Sequence, residues 1–279
     1  MRHSILQAAV CFLMLAAGFA HAQAAGEPIG FDAVFARYQK GEEVDADLAK
    51  VISLTTLPVP QRFNAAYLLA VIMLDRGMPD QAIANLERCD ALQGGQAQVS
   101  VRRAEALTAL KDFKGAQKAI DKAAKSLVGA NSEITMRLAL AHAELDAAQG
   151  NALKAAERLE KMAKTKKGLW EVWFNLARYY ETLDRPSDAL DAWEKVIGLD
   201  PKADPFPGVV ALQRWAALSM SSDAGSYGKL ALVKKAIERY DQFLSRAKAN
   251  RVPEKLEAAT QQAVGVLKQY VLPQLEKSK

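Results

Sequence analysis

Cysteine and histidine are the side chains best suited to nucleophilic, acid–base or zinc chemistry, and this 279-residue chain has two of the first and three of the second. Three of those five lie at the very start, as His3, Cys11 and His21. There Met1-Arg2-His3 makes a short basic opening, Ile5 to Phe19 is almost wholly apolar, and Ala20-His21-Ala22 sets small residues around a polar one. This pattern predicts a secretory signal over residues 1–22, cleaved after Ala22, and a periplasmic protein. The apolar run falls short of the roughly 20 residues that a spanning helix needs. Cys11 sits inside the run, where a lipoprotein cysteine would sit at its end.

Cleavage leaves Cys89 and His142 as the sole members of their types, so no intramolecular disulfide and no Cys/His zinc cluster can form. Catalysis by a Ser–His or Cys–His pair would have to run through His142 alone. No Gly-rich phosphate loop or metal-ligand cluster is present, and no cofactor is implied. A two-carboxylate glycan hydrolase is the enzyme reading left open. Its candidates, Glu254 and Glu257, lie three apart, which puts them on one helix face suited to solvent. The reading that follows is a chain that is not an enzyme.

The elements that hold these residues emerge from spacing. Gly and Pro number only 16 and 10 and half the chain is hydrophobic, values of a soluble protein rich in long helices. A small residue followed by a bulky one four later and an apolar one three after that recurs as Ala82-Leu86-Cys89, Ala116-Ile120-Ala123, Ala155-Leu159-Met162 and Ala189-Trp193-Val196. Steps of 4 and 3 place side chains on one face of an α-helix. The sets stand 34, 39 and 34 residues apart, each after a turn: Arg76 to Asp80, Lys111 to Gly115, Gly150-Asn151 and Asp184 to Asp188. Gly or Asn is expected to supply the left-handed residue that ends one helix, and Pro or Asp to start the next. Another apolar pattern precedes each turn, as in Ala66-Leu69-Ala70-Met73 and Trp173-Leu176-Ala177-Tyr180.

A helix, turn and helix repeated about every 34 residues resembles the tetratricopeptide repeat. Residues 169–201 carry it most fully, through Trp173, Leu176, Ala177, Tyr180, Ala189, Trp193 and Pro201, with Val196 where the family prefers a small residue. Residues 63–96 match through Leu69, Ala70, Met73, Ala82 and Leu86. In 97–130 Arg103 replaces an apolar residue, and 135–169 departs most through its extra loop residues. The resemblance implies an all-α solenoid of stacked antiparallel helix pairs in a right-handed superhelix. Cys89 shares its site with Ala123, Met162 and Val196, which makes it a packing residue. His142 follows Ala141 on an inward stripe and is read the same way.

The domain reading is a signal at 1–22, an N-terminal helical cap or degenerate repeat at 23–60, an array of about four repeats at 61–203, and a lengthened repeat with a C-terminal capping helix at 204–279. Within the cap, Phe31 to Gln39 and Asp45 to Leu54 form a looser pair closed by Pro58 and Pro60. Asp204 to Gly208 reads as a rigid break before a helix from about Val209 to Met220, a loop over 221–228 and a helix from Lys229 to Lys248. A last helix runs from Pro253 to about Leu275, interrupted near Pro273.

The family's groove-facing spacing selects Asn64, Tyr67 and Val71, then Gln98, Val101 and Glu105, then Glu171, Phe174 and Arg178. The resemblance implies that these face a protein or peptide ligand, with Tyr67, Phe174 and Arg178 as leading contacts. Tyr67 and Val71 stand where a C-terminal-carboxylate clamp would carry polar residues, so that ligand is not indicated. Residues 205–279 hold 12 Lys+Arg against 6 Asp+Glu, and residues 23–204 hold 24 against 26. The basic end suits a weak contact with an anionic surface, or a helix face with its charges in water. No nucleic-acid motif is present. The function expected is a non-catalytic periplasmic adaptor within an envelope assembly, secretion or maturation complex, with a self-associating scaffold as a further alternative.

Overall fold

The computed structural model describes residues 29–127, 132–165, 168–199, 205–221, 229–247 and 252–277. The expected signal at 1–22, the motif residue Pro201, Asp204 of the expected break and most of the expected loop at 221–228 lie outside them. The described chain is helical: α1 (Phe31–Gln39), α2 (Asp45–Ser53), α3 (Val59–Asp75), α4 (Pro79–Leu92), α5 (Ala97–Ala109), α6 (Phe113–Lys125), α7 (Ser132–Ala148), α8 (Ala152–Thr165), α9 (Trp170–Thr182), α10 (Pro186–Leu199), α11 (Pro205–Ser221), α12 (Leu230–Ala247), α13 (Glu254–Val266), a π-helical turn (Leu267–Val271) and α14 (Leu272–Lys277). Two compact units meet in sequence at Asn151 and Ala152.

In the first unit α3 is the axis. Ten of its residues are buried, including the run Ala65 to Met73, because α2, α4 and α5 all pack on it. A helix apolar all round is what an interior position requires. Its ends are tied by charge, since Arg76 pairs with Asp45 at the start of α2 and the Arg62 Nε donates to the Ile52 carbonyl at 2.9 Å. The small-to-bulky spacing buries Ala82, Leu86 and Cys89, then Ala116, Ile120 and Ala123. Each alanine lets the partner helix close in, and each full burial of a Leu or Ile contributes about 2 kcal/mol. Arg103, irregular in sequence, leaves α5 to donate to Asp90 of α4 at 2.8 Å.

One backbone device ends five helices. At Gly41, Gly77, Lys111, Gly150 and Asp184 the residue is left-handed, with φ of 81°, 71°, 62°, 84° and 53°. Its N–H bonds three residues back, and the next N–H bonds five back, as in Met78 to Met73 at 2.8 Å and Asp112 to Leu107 at 2.9 Å. This Schellman closure satisfies carbonyls that the helix end would otherwise strand. Gly or Asn is expected in this role, yet Lys111 and Asp184 adopt it too.

In the second unit the same spacing buries Ala155 and Leu159, then Ala189, Trp193 and Val196, then Ala236, Tyr240 and Phe243, while Met162 is half-buried. Helix α11 begins at Pro205, four residues before the helix expected from Val209. Pro205 and Pro207 fall in its first turn, where amides have no intrahelical acceptor, so what read as a break is an initiation. The last helix runs through Pro273 after widening into the π turn that holds Gln269. Gln269 is the residue whose carbonyl the Pro273 ring would strike in a regular α-helix. Much of the C-terminal basic charge is paired: Arg214 with Glu181, Lys235 and Arg239 with Glu194, Lys268 with Asp241 and Lys234 with Glu276.

Candidate functional site

In the second unit α9 carries three distinct faces. Val172, Leu176 and Ala177 are fully buried and fix its rotation. Steps of 3 and 4 then turn Glu171, Phe174 and Arg178 to another side, the first two half-buried and Arg178 exposed. The Phe174 ring meets Trp193 edge-on at 5.2 Å between centroids, and Trp170 likewise at 6.3 Å. Trp193 is itself held, since its Nε1 donates to Glu181 Oε1 at 2.6 Å and Glu181 also pairs with Arg214 of α11. Phe174 is thus a half-exposed ring on a fixed aromatic base, and Arg178 has no ion pair among the described residues. Edge-to-face aromatic pairs contribute about 1 kcal/mol beyond burial.

The third face of α9 helps line a cleft of about 570 Å³, formed by Trp173, Leu176 and Tyr180 with Glu160, Ala163 and Lys164 of α8 and with Arg185, Asp188 and Lys195. Its centre is internally balanced. The Tyr180 hydroxyl donates to Glu160 at 2.8 Å, the Arg185 guanidinium lies 4.6 Å over the Tyr180 ring, and its Nε donates to Asp188 at 2.8 Å. Burial first, and then the hydrogen bond to Glu160, push the Tyr180 phenol above its ordinary value. It therefore stays protonated and donating through the neutral range.

The first unit treats its expected contacts differently. Helices α3, α5 and α7 lie side by side, and Asn64, Gln98 and Glu105 are half-buried on them. Tyr67, Val71 and Val101 are buried at 5%, 2% and 1% exposure, so they pack between helices and do not present a surface. Tyr67 stacks on Phe63 with centroids 6.4 Å apart. A neighbour that interacts with it is Arg102, whose Nη1 donates to Glu105 at 2.7 Å. Burial works against that guanidinium's charge, but the nearby Glu105 carboxylate and Tyr67 outweigh it and raise its pKa. Sequence spacing missed Arg102, because a buried arginine has no signature apart from an exposed one until its carboxylate is placed.

The profile of the tetratricopeptide repeat matches residues 171–203, the span of α9 and α10 just described. The chain carries the tetratricopeptide-repeat fold. Among solved structures, a tetratricopeptide repeat protein from Parabacteroides merdae superposes with a TM-score of 0.60 at 14% identity, covering 83% of this chain and 82% of that one. A thermophilic tetratricopeptide-repeat protein from Thermus thermophilus gives 0.54 at 19% identity over 67% of this chain and 96% of the other. A signal-transduction ATPase with a tetratricopeptide repeat sensor from Pyrococcus horikoshii gives 0.59 at 15% identity, covering 88% of this chain but 39% of its own. No curated protein matches the sequence.

Of the residues read for chemistry, Cys89 takes a packing place within the repeat frame. Cys89 is fully buried, its Sγ 3.8 Å from the Phe63 carbonyl, and burial pushes its thiol up to about 12. His142 is half-buried on α7. Glu254 is exposed and Glu257 half-buried in the first turn of α13, where their charge suits the helix N-terminus. Among the described residues no three His, Cys, Asp or Glu side chains gather in a way that could hold a metal ion.

Proposed function

We propose that this protein is a non-catalytic tetratricopeptide-repeat adaptor that holds a protein or peptide partner against the first helices of its pairs. The observation that carries the reading is the Glu171, Phe174 and Arg178 face of α9, a half-exposed ring on a fixed base beside an arginine without an ion pair among the described residues. Aromatic and arginine side chains dominate binding energy at such surfaces, and a ring already held in place loses little entropy on binding. Asn64, Gln98 and Glu105 supply polar contacts on the first unit. A stacked-pair architecture serves extended and helical peptides in particular.

We place this activity outside the cytoplasm, in a bacterial periplasm, on the strength of the Met1 to Ala22 pattern, and within an envelope assembly, secretion or maturation complex. N-terminal sequencing of the mature protein should begin at Gln23; a chain still starting at Met1 refutes the location. For the surface, the experiment is affinity capture from envelope extract with wild type and a Phe174→Ala/Arg178→Ala variant, both checked for equal helicity. Loss of the captured protein from the variant is expected, and unchanged capture would refute the α9 assignment.

A further inference from the structure

In the first unit a cleft of about 540 Å³ opens between α2, the start of α3 and the end of α4. Ala49 and Ile52 of α2 and Ala91 and Leu92 of α4 make it apolar, and its charged lining residues are two arginines, Arg62 and Arg88, with no carboxylate among them. Elsewhere in the described part of this unit every arginine has found an acid. Arg37 pairs with Asp47, Arg76 with Asp45, Arg102 with Glu105, Arg103 with Asp90 and Arg137 with Glu133. The two that have not are the two at the cleft. Arg62 uses Nε on the Ile52 carbonyl at 2.9 Å, and Arg88 uses Nη1 on the Asn85 side-chain oxygen at 3.0 Å. A guanidinium has five N–H donors, so each keeps a free edge for a carboxylate fork.

We infer that this cleft docks a peptide segment in which a carboxylate side chain lies within a residue or two of a large apolar one. The carboxylate meets Arg62 and Arg88, while the apolar side chain enters between Ile52 and Leu92. Charge complementarity selects the acid, since a neutral segment would leave two guanidinium groups facing an apolar contact with no counter-charge. The openness of the cleft selects a peptide over a lipid chain. Ala49, Ser53 and Ala91 are exposed, so an acyl chain laid there would keep much of its length in water, whereas a peptide has to bury only one apolar side chain against Ile52 and Leu92. The site lies on the first unit and does not rest on the α9 surface, so either assignment can fail without the other.

The test is fluorescence anisotropy of the full-length mature protein with labelled Ser-Glu-Leu-Glu-Phe-Glu-Leu-Ser and its counterpart with glutamine at each glutamate. The glutamate peptide should bind at least about tenfold more tightly. Arg88→Gln should weaken it by about tenfold, and Arg62→Gln/Arg88→Gln further. Arg88 is exposed, so the single variant keeps its fold, which circular dichroism checks; the double variant is scored only if its melting curve matches wild type. Equal affinity for both peptides, no binding of either, or an Arg88→Gln protein that binds as wild type overturns the proposal. So does displacement of the peptide by dodecanoate at lower concentration than by unlabelled peptide, which would make the cleft a lipid site.

Discussion

Lys111 and Asp184 hold a backbone conformation that their side chains disfavour, and they hold it because two hydrogen bonds at each helix end require it. A left-handed L-residue costs about 1 kcal/mol relative to glycine. Lys111→Gly should therefore raise stability by about 0.5–1 kcal/mol, read as a higher urea midpoint, while Gly77→Lys should lower it by a similar amount. Cys89 makes a second prediction at this scale. Its folded thiol is pushed up to about 12, above the ordinary value of 9.0, so burial favours the neutral form. The stability this represents is complete below pH 9 and is lost as pH rises toward 12, because the unfolded chain ionises first. Iodoacetamide at pH 8 should label Cys89 only as fast as the protein opens, and rapid stoichiometric labelling of native protein would contradict its packing.

At the scale of the element, α6 shows how closely a cap can be fitted. The Asp112 carboxylate accepts from the Gly115 amide at 2.9 Å, and a Cβ on residue 115 would run into that same carboxylate. Asp112→Ala and Gly115→Ala should each destabilise by about 1 kcal/mol, and the double variant should cost little more than either, which thermal melts can resolve. Helix pairing was legible in the sequence because each second helix declares its inner face twice, through a small residue and a bulky one four later. Rotation of the first helices was harder to read. Tyr67 and Phe174 occupy equivalent places, yet one is buried beside Arg102 of α5 and the other half-exposed. Nor did the prolines at 205 and 207 distinguish an ending from a beginning, since the same missing N–H is tolerated outside a helix and in its first turn. The clefts were invisible for a simpler reason. Glu160, Tyr180 and Arg185, or Ile52, Arg62 and Arg88, are separated in sequence by helical turns that spacing rules treat one helix at a time.

Across the whole molecule, stability should be local. In stacked-pair proteins each pair leans mainly on its neighbours, so damage spreads by adjacency more than by a shared core. Leu86→Ala removes a fully buried side chain from α4 and should cost about 2–5 kcal/mol. Hydrogen exchange followed by mass spectrometry should show faster exchange in α3, α4 and α5 and unchanged rates in α11 and α12; a uniform rise across the chain would contradict this picture. The five Schellman turns carry a further consequence, for the speed with which the chain finds its fold. Each brings two helices together across only a few residues, so the loop to be closed is among the shortest a helical protein can have. Low contact order of this kind accompanies folding in microseconds to milliseconds. Any one pair can form before the next has left the ribosome, and the growing end then serves as the template on which the following pair closes.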